Sequence, residues 1–382
     1  MKLSRIYNLL FFIIPGLILF FFYFYYGSLL GGDTTRYINA GYKTLEYFGI
    51  IFEKPELYDD KINLRAYIQL IPNLIIFFFS KIFNDGINYF PILNIFLFIY
   101  IFYYFFKNFL KNFIISKKKA YIISLLLFFG FYQIPGWTLK ILSETLFIFF
   151  SIIYFEEFFF NKKTIKLIIV SMLLSLIRPQ GILFLLFTFI FFFKNQIKKI
   201  QIKYIIFIIS IFWFILIPYI IYMQLINKDH IFFPLELAHY YAEGNINDGW
   251  LYINKDFNFV LNEVRWTNTE IILPNNDYFF IFFTNLIRTI YSIIPLRFNY
   301  SLLINIWFLI YFVTIAIMGI QGLKNIRNNN YSEYKIYFLI LLIIMLFNNI
   351  MVVDNFRYNL MLIIFIWQLL KFKYQTKKLR RF

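Results

Sequence analysis

Apolar residues along this chain come in long unbroken runs separated by short polar intervals, and the runs show no period-2 alternation. They fall at 7–27, 64–83, 88–106, 119–136, 139–160, 164–178, 179–193, 203–225, 278–296, 301–323, 336–352 and 357–371. An apolar run near 20 residues makes a helix of about 30 Å, the thickness of a bilayer's hydrocarbon. Runs near 15 residues must be tilted, buried or half-spans. The pattern predicts an all-α polytopic helical membrane protein with about 10–12 transmembrane or membrane-embedded helices. A β-barrel is disfavoured, because its strands alternate polar and apolar positions. Run 278–296 contains Arg288 and ends at Pro295, which predicts an interfacial segment.

Two polar intervals are long, 28–63 and 226–280. In the first, Tyr37, Ala40, Gly41, Thr44, Leu45, Phe48 and Ile51 recur at three and four residues, which predicts an amphipathic helix able to lie on a membrane surface. In the second, Tyr240, Tyr241, Trp250, Tyr252 and Trp266 argue for order in a connection too long to be a simple turn. There is no repeat and no sign of a soluble second domain, so residues 1–382 are expected to form one integral membrane domain.

Composition agrees with the pattern. The chain is 61% hydrophobic and 15% charged, where a soluble protein carries about 25% charge. A net charge of +17 raises the question of nucleic acid. The basic residues instead sit in short clusters between apolar runs, where they orient membrane proteins. Lys107, Lys111, Lys117, Lys118 and Lys119 form one cluster, with others at 162–166, 194–203, 324–335 and 371–381. All are expected to be cytoplasmic, together with both termini, in a bacterial inner or plasma membrane. Of the 20 acidic residues, 14 lie in intervals 28–63 and 226–280, which are expected to face outward. One parity conflict remains. Two runs, 64–83 and 88–106, separate an outer Asp33 from an inner Lys107, so one of them must dip and return or lie in the interface. The N-terminus, Met1-Lys2-Leu3-Ser4-Arg5, resembles a signal n-region, but the run behind it lacks a small-residue cleavage site and reads as a retained helix. There are no cysteines, and the two histidines are His230 and His239, which argues against a thiolate or histidine-rich metal site; no cofactor is expected, and a divalent metal is left open without support.

Four constellations could carry chemistry, and the scheme puts all four at the outer face. Asp33, followed by Arg36 and Tyr37, heads the predicted helix of the first interval; its bland role is an N-cap with Arg36 as local partner. Ser143-Glu144 stands at the outer end of a long apolar run, where a carboxylate costs about 2.5–3.5 kcal/mol to insert; its bland partner is Lys140. Arg178-Pro179 interrupts residues 167–193, which hold no other charge, and a guanidinium there can grip a phosphate; the bland alternative is a snorkelling turn. Arg357-Tyr358 precedes the last run, where such residues also serve as interfacial anchors.

The order of these elements resembles the GT-C fold integral-membrane glycosyltransferases. The shared series is a first span, Asp-x-x-x-Tyr-x-x-Ala (Asp33, Tyr37, Ala40), Ser-Glu heading a middle span, Arg-Pro, and Arg-Tyr before the last span. It is most similar to the protein mannosyltransferase, aminoarabinose transferase and GPI mannosyltransferase branch. The resemblance implies transfer of a sugar from a polyprenyl-phosphate-linked donor to an acceptor hydroxyl on a glycan, lipid or protein. Transfer would occur on the extracytoplasmic face with inversion. It implies Asp33 as general base. It implies Arg36, Tyr37, Glu144, Arg178, Arg357 and Tyr358 as substrate-binding residues, the late Arg-Tyr meeting the donor phosphate. The first interval shows Gly-Asp where the family has an acidic pair, and the chain lacks the family's soluble C-terminal domain. Membrane lipids are expected partners and nucleic acid is not. Two rival classes are an O-antigen or capsule polymerase, which centres on outer-loop arginines, and a lipid-linked oligosaccharide flippase, which shows paired repeats.

Overall fold

The structure is a computed structural model. It describes residues 2–27, 34–47, 53, 70–83, 88–113, 121–122, 124–125, 133–141, 143–158, 164–178, 181, 184–185, 187–189, 209–210, 251–253 and 259–261, with eleven more between 301 and 320. The chain divides into two compact units, Met1–Leu225 and Ile226–Phe382.

The regular elements described in the first unit are all helices. Its elements are α1 (Lys2–Tyr26), α2 (Thr34–Tyr47), α3 (Leu70–Ile82), α4 (Tyr89–Phe113), α5 (Gln133–Thr138), α6 (Glu144–Glu156) and α7 (Thr164–Ile177). In the second unit, β1 (Leu251–Ile253) pairs antiparallel with β2 (Phe259–Leu261), Tyr252 facing Val260. This hairpin lies in interval 226–280, and the described residues are mostly helical, consistent with the all-α expectation. Expected spans 278–296, 336–352 and 357–371, and all but two residues of 203–225, lie outside the described residues.

Three helices of the first unit coincide closely with apolar runs: α1, α4 and α7. Within α4, Tyr89–Lys107 is long and apolar enough to cross a membrane, the one such stretch among the described residues. Shorter apolar stretches are Ile13–Tyr26, Leu70–Phe79 and Ile165–Ile177. Helix α4 continues to Phe113, so Lys107 and Lys111 ride on a helix rather than in the loop expected from 107 onward. α1 ends where Gly27 takes a left-handed φ of 72°, and its N–H closes on the Tyr23 carbonyl at 2.8 Å.

Side-chain contacts fix the sense of each helix against its neighbour. The Tyr23 hydroxyl donates to the Asn88 carbonyl at 2.8 Å, and Phe20 meets Phe96 edge-on, so α1 and α4 are antiparallel. Asn94 Nδ2 donates to the Lys140 carbonyl at 3.2 Å, Tyr100 packs edge-on to Phe149, and Tyr104 reaches the Glu156 carboxylate, so α4 and α6 are parallel. Arg178 meets Glu144 and Lys166 meets Glu157, so α7 returns antiparallel to α6. The chain then turns again, and Phe184 and Thr188 descend along α6 to Tyr154. The unit therefore has two distinct ends. One gathers Tyr23, Asn88, Lys140, Glu144 and Arg178. The other gathers Tyr104, Glu156, Glu157 and Lys166.

Helix α3 covers the second part of run 64–83, whose residues 64–69 lie outside the described residues. The Phe83 ring, just past its end, stacks on Tyr89 at 4.1 Å, which is the Tyr23–Asn88 end of the unit. Helix α2 packs against α3. Tyr37, Ile38 and Tyr42 are buried there. Of the apolar face that the pattern offers to a membrane surface, Tyr37 and Gly41 are buried in protein.

Candidate functional site

Residues 139–143 open the apolar run 139–160, yet 139–141 and 143 are not helical. Helix α6 starts only at Glu144. An irregular backbone buried among apolar helices leaves N–H and C=O groups that must find partners. Two are supplied here: the Lys140 N–H donates to the Trp137 carbonyl at 3.2 Å, and its carbonyl accepts from Asn94, whose side chain is fully buried. The break is therefore supported by a polar residue from α4, and it delivers Ser143 and Glu144 to one end of the unit.

Ser143 stands at the N-cap of α6, yet its side chain makes no capping bond. Its hydroxyl instead lies 2.9 Å from the hydroxyl of Tyr37, with both groups buried. The usual role of serine at a helix start is to satisfy the helix's own N–H groups. Here the hydroxyl ties α6 to α2, the helix headed by the Gly-Asp motif. Beside it, the Thr138 and Thr145 hydroxyls lie 3.4 Å apart.

Glu144 is fully buried, and its Oε1 lies 3.0 Å from Nη1 of Arg178. A carboxylate in the first turn of a helix is also favoured by the helix dipole. The Arg178 side chain is 7% exposed, and its guanidinium carbon lies 6.0 Å from the centre of the Phe147 ring. Both bland roles weighed from the sequence are thus displaced. The ion pair of Glu144 is made with Arg178 from another helix, and Arg178 is held inside rather than snorkelling to water.

The position of Arg178 depends on the turn after it. Its N–H closes the last turn of α7 on Leu174 O at 3.1 Å, and its own carbonyl accepts from the Gly181 N–H at 2.8 Å. A Cβ at Gly181 would stand 1.9 Å from the Leu174 carbonyl oxygen. Only glycine lets the chain pass that close to the end of α7.

Three of the four constellations therefore converge through side chains of Tyr37, Ser143, Glu144 and Arg178. Asp33 lies outside the described residues; it is the neighbour in sequence of Thr34, which is buried. Arg36 belongs to α2, its side chain lying outside the described residues. Arg357 and Tyr358 lie outside them as well. Among the described residues no group of three acidic or histidine side chains could hold a metal ion.

The sequence reading did not single out Asn94 or the Tyr104, Glu156, Glu157 and Lys166 cluster at the opposite end. The signal was present. A lone asparagine inside a crossing-length apolar run, and two adjacent carboxylates at the end of another, are polar groups that a low-dielectric surrounding tolerates only with partners. Comparison with protein-family models, curated proteins and solved structures returned no match, so the site is read from this chain's own residues.

Proposed function

We propose that this protein is a polytopic membrane glycosyltransferase that moves a sugar from a polyprenyl-phosphate donor to an acceptor hydroxyl on the extracytoplasmic face. The observation that carries this reading is the joining of three separate motifs through the Tyr37–Ser143 hydrogen bond and the Glu144–Arg178 ion pair. A purely structural bundle has no need to gather a Gly-Asp helix, a Ser-Glu break and an Arg-Pro turn at one end.

The surface of the first unit supports the membrane setting. On α1, Leu17 is 55%, Phe21 67% and Phe24 78% exposed. Phe78, Phe96 and Ile165 are exposed as well. Contiguous apolar surface of this kind is rare on proteins in water and ordinary against lipid. The site end then faces outward, and the Lys107 and Lys166 end faces the cytoplasm.

The chemistry needs few groups. The acceptor oxygen attacks the anomeric carbon as the carbon–oxygen bond to phosphate breaks. The phosphate leaves with the electron pair, and the acceptor proton passes to the Asp33 carboxylate. Attack opposite the leaving group inverts the anomeric centre. Arg178 stabilises the charge that gathers on the departing phosphate. Glu144 orients it, since a planar guanidinium can meet a carboxylate along one edge and a phosphate along another. Arg36 completes the donor site in this proposal.

The test uses the purified protein in proteoliposomes with a set of polyprenyl-phosphate sugars, reading release of polyprenyl phosphate. Wild type should release it, and Asp33→Asn should not, while inserting and purifying normally. Undiminished release by Asp33→Asn removes that residue from the mechanism, and inertness of the wild type toward the whole set refutes the activity.

A further inference from the structure

We infer that the Glu144–Arg178 site lies within the hydrocarbon layer, about 7–10 Å below its outer boundary, so that a ligand's polar group must be carried down to it on a lipid chain. This rests on the membrane reading above and adds a depth to it. Two counts on different helices give that depth. The first uses the crossing-length stretch Tyr89–Lys107, 19 residues or about 28 Å long. Asn94 sits about 7 Å along its axis from Tyr89 at 1.5 Å per residue, and it donates to the carbonyl of Lys140, just before the site. The second count runs from the other boundary. Glu157 pairs with Lys166, whose side chain is 54% exposed and which the positive-inside reading puts at the cytoplasmic edge. Helix α6 rises from there through 13 residues, about 20 Å, to Glu144, which leaves it about 10 Å short of the far side of a 30 Å layer. Helix α7, with 14 residues, stops at the same level.

The polar architecture fits that depth. Non-helical backbone is tolerated in the hydrocarbon region only where it is enclosed by protein. At the start of this run Leu139, Ile141 and Ser143 are buried, the Lys140 carbonyl is bonded to Asn94 and the Ser143 hydroxyl to Tyr37. A break lying in the headgroup region would find water for those groups and would not require asparagine and tyrosine from two other helices.

The chain contains no cysteine, so single reporters need no background removal. Lys140→Cys places one on the residue that meets Asn94. Gly136→Cys gives a second, at a position where a Cβ would meet nothing within 4 Å. Lys107→Cys marks the cytoplasmic boundary. Each is labelled with bimane in phosphatidylcholine vesicles that carry a nitroxide on the headgroup, near the top of the acyl chain, or near its middle. Quenching at 140 and 136 should be at least twofold stronger from the acyl-chain nitroxides than from the headgroup one, and the order should reverse at 107. Strongest quenching from the headgroup at 140 and 136 overturns the depth, as does absence of quenching there while 107 is quenched. Absence at all three positions overturns the membrane reading instead.

Discussion

Removing the Tyr37 hydroxyl is the sharpest perturbation of the site, because one oxygen atom joins two of its three motifs. Tyr37 is 2% exposed and Ser143 fully buried, so water cannot replace the lost partner. Leaving a buried hydroxyl without its partner costs about 1–3 kcal/mol, whereas a made hydrogen bond contributes about 0.5–1.5 kcal/mol net. Tyr37→Phe and Ser143→Ala should each therefore slow transfer by roughly 5- to 150-fold, at 1.4 kcal/mol per tenfold, if the bond holds α2 in register with Glu144 and Arg178. The double variant removes both partners at once. It should retain about two- to tenfold more activity than the product of the single effects, a coupling of about 0.5–1.5 kcal/mol. The assay is initial rate of polyprenyl-phosphate release, run beside heat-induced loss of monodisperse protein in detergent to score stability. Strict additivity in both readouts would show that the two hydroxyls do not act as a unit, and the link between α2 and α6 would lose its mechanistic meaning.

Other outcomes follow from the same geometry. Glu144→Gln or Arg178→Ala breaks the buried ion pair and should destabilise by about 3–5 kcal/mol, whereas Glu144→Leu with Arg178→Met should be inactive yet recover much of the lost thermal stability in detergent. Arg178→Lys should fail to restore transfer, because an ammonium cannot offer two edges to two anions; activity within twofold of wild type would refute that role. Gly181→Ala forces a Cβ to within 1.9 Å of the Leu174 carbonyl and should abolish recovery of monodisperse protein, while Gly136→Ala should behave as wild type. Asn94→Leu orphans the Lys140 carbonyl and should lower stability by about 1–3 kcal/mol, detectable as faster proteolysis between residues 138 and 144.

Much of this molecule is legible in one dimension. Runs of apolar residues dictate helices wherever the surroundings are apolar, since backbone groups can then be satisfied only within the helix itself. That is why α1, α4 and α7 coincide with runs read by eye. Rarity does the rest: Glu144 and Arg178 stand out because a charge amid such neighbours is costly unless paired or used. Periodicity also reveals α2, through the recurrence of Tyr37 and Gly41. What a one-dimensional pattern does not contain is partnership. Glu144 has a lysine four residues before it, and local spacing favours that pair. The observed bond goes to Arg178, because α7 folds back beside α6 and brings the guanidinium within 3.0 Å. The apolar run read as 139–160 likewise begins five residues before the helix does. There Asn94, remote in sequence, donates to the Lys140 carbonyl the hydrogen bond that a continuous helix would have supplied internally. Composition and periodicity thus determined the helices and nominated the polar residues. Tertiary packing alone decided which of them meet, since a hydrogen bond or ion pair is set by distances of about 3 Å that only the folded chain defines.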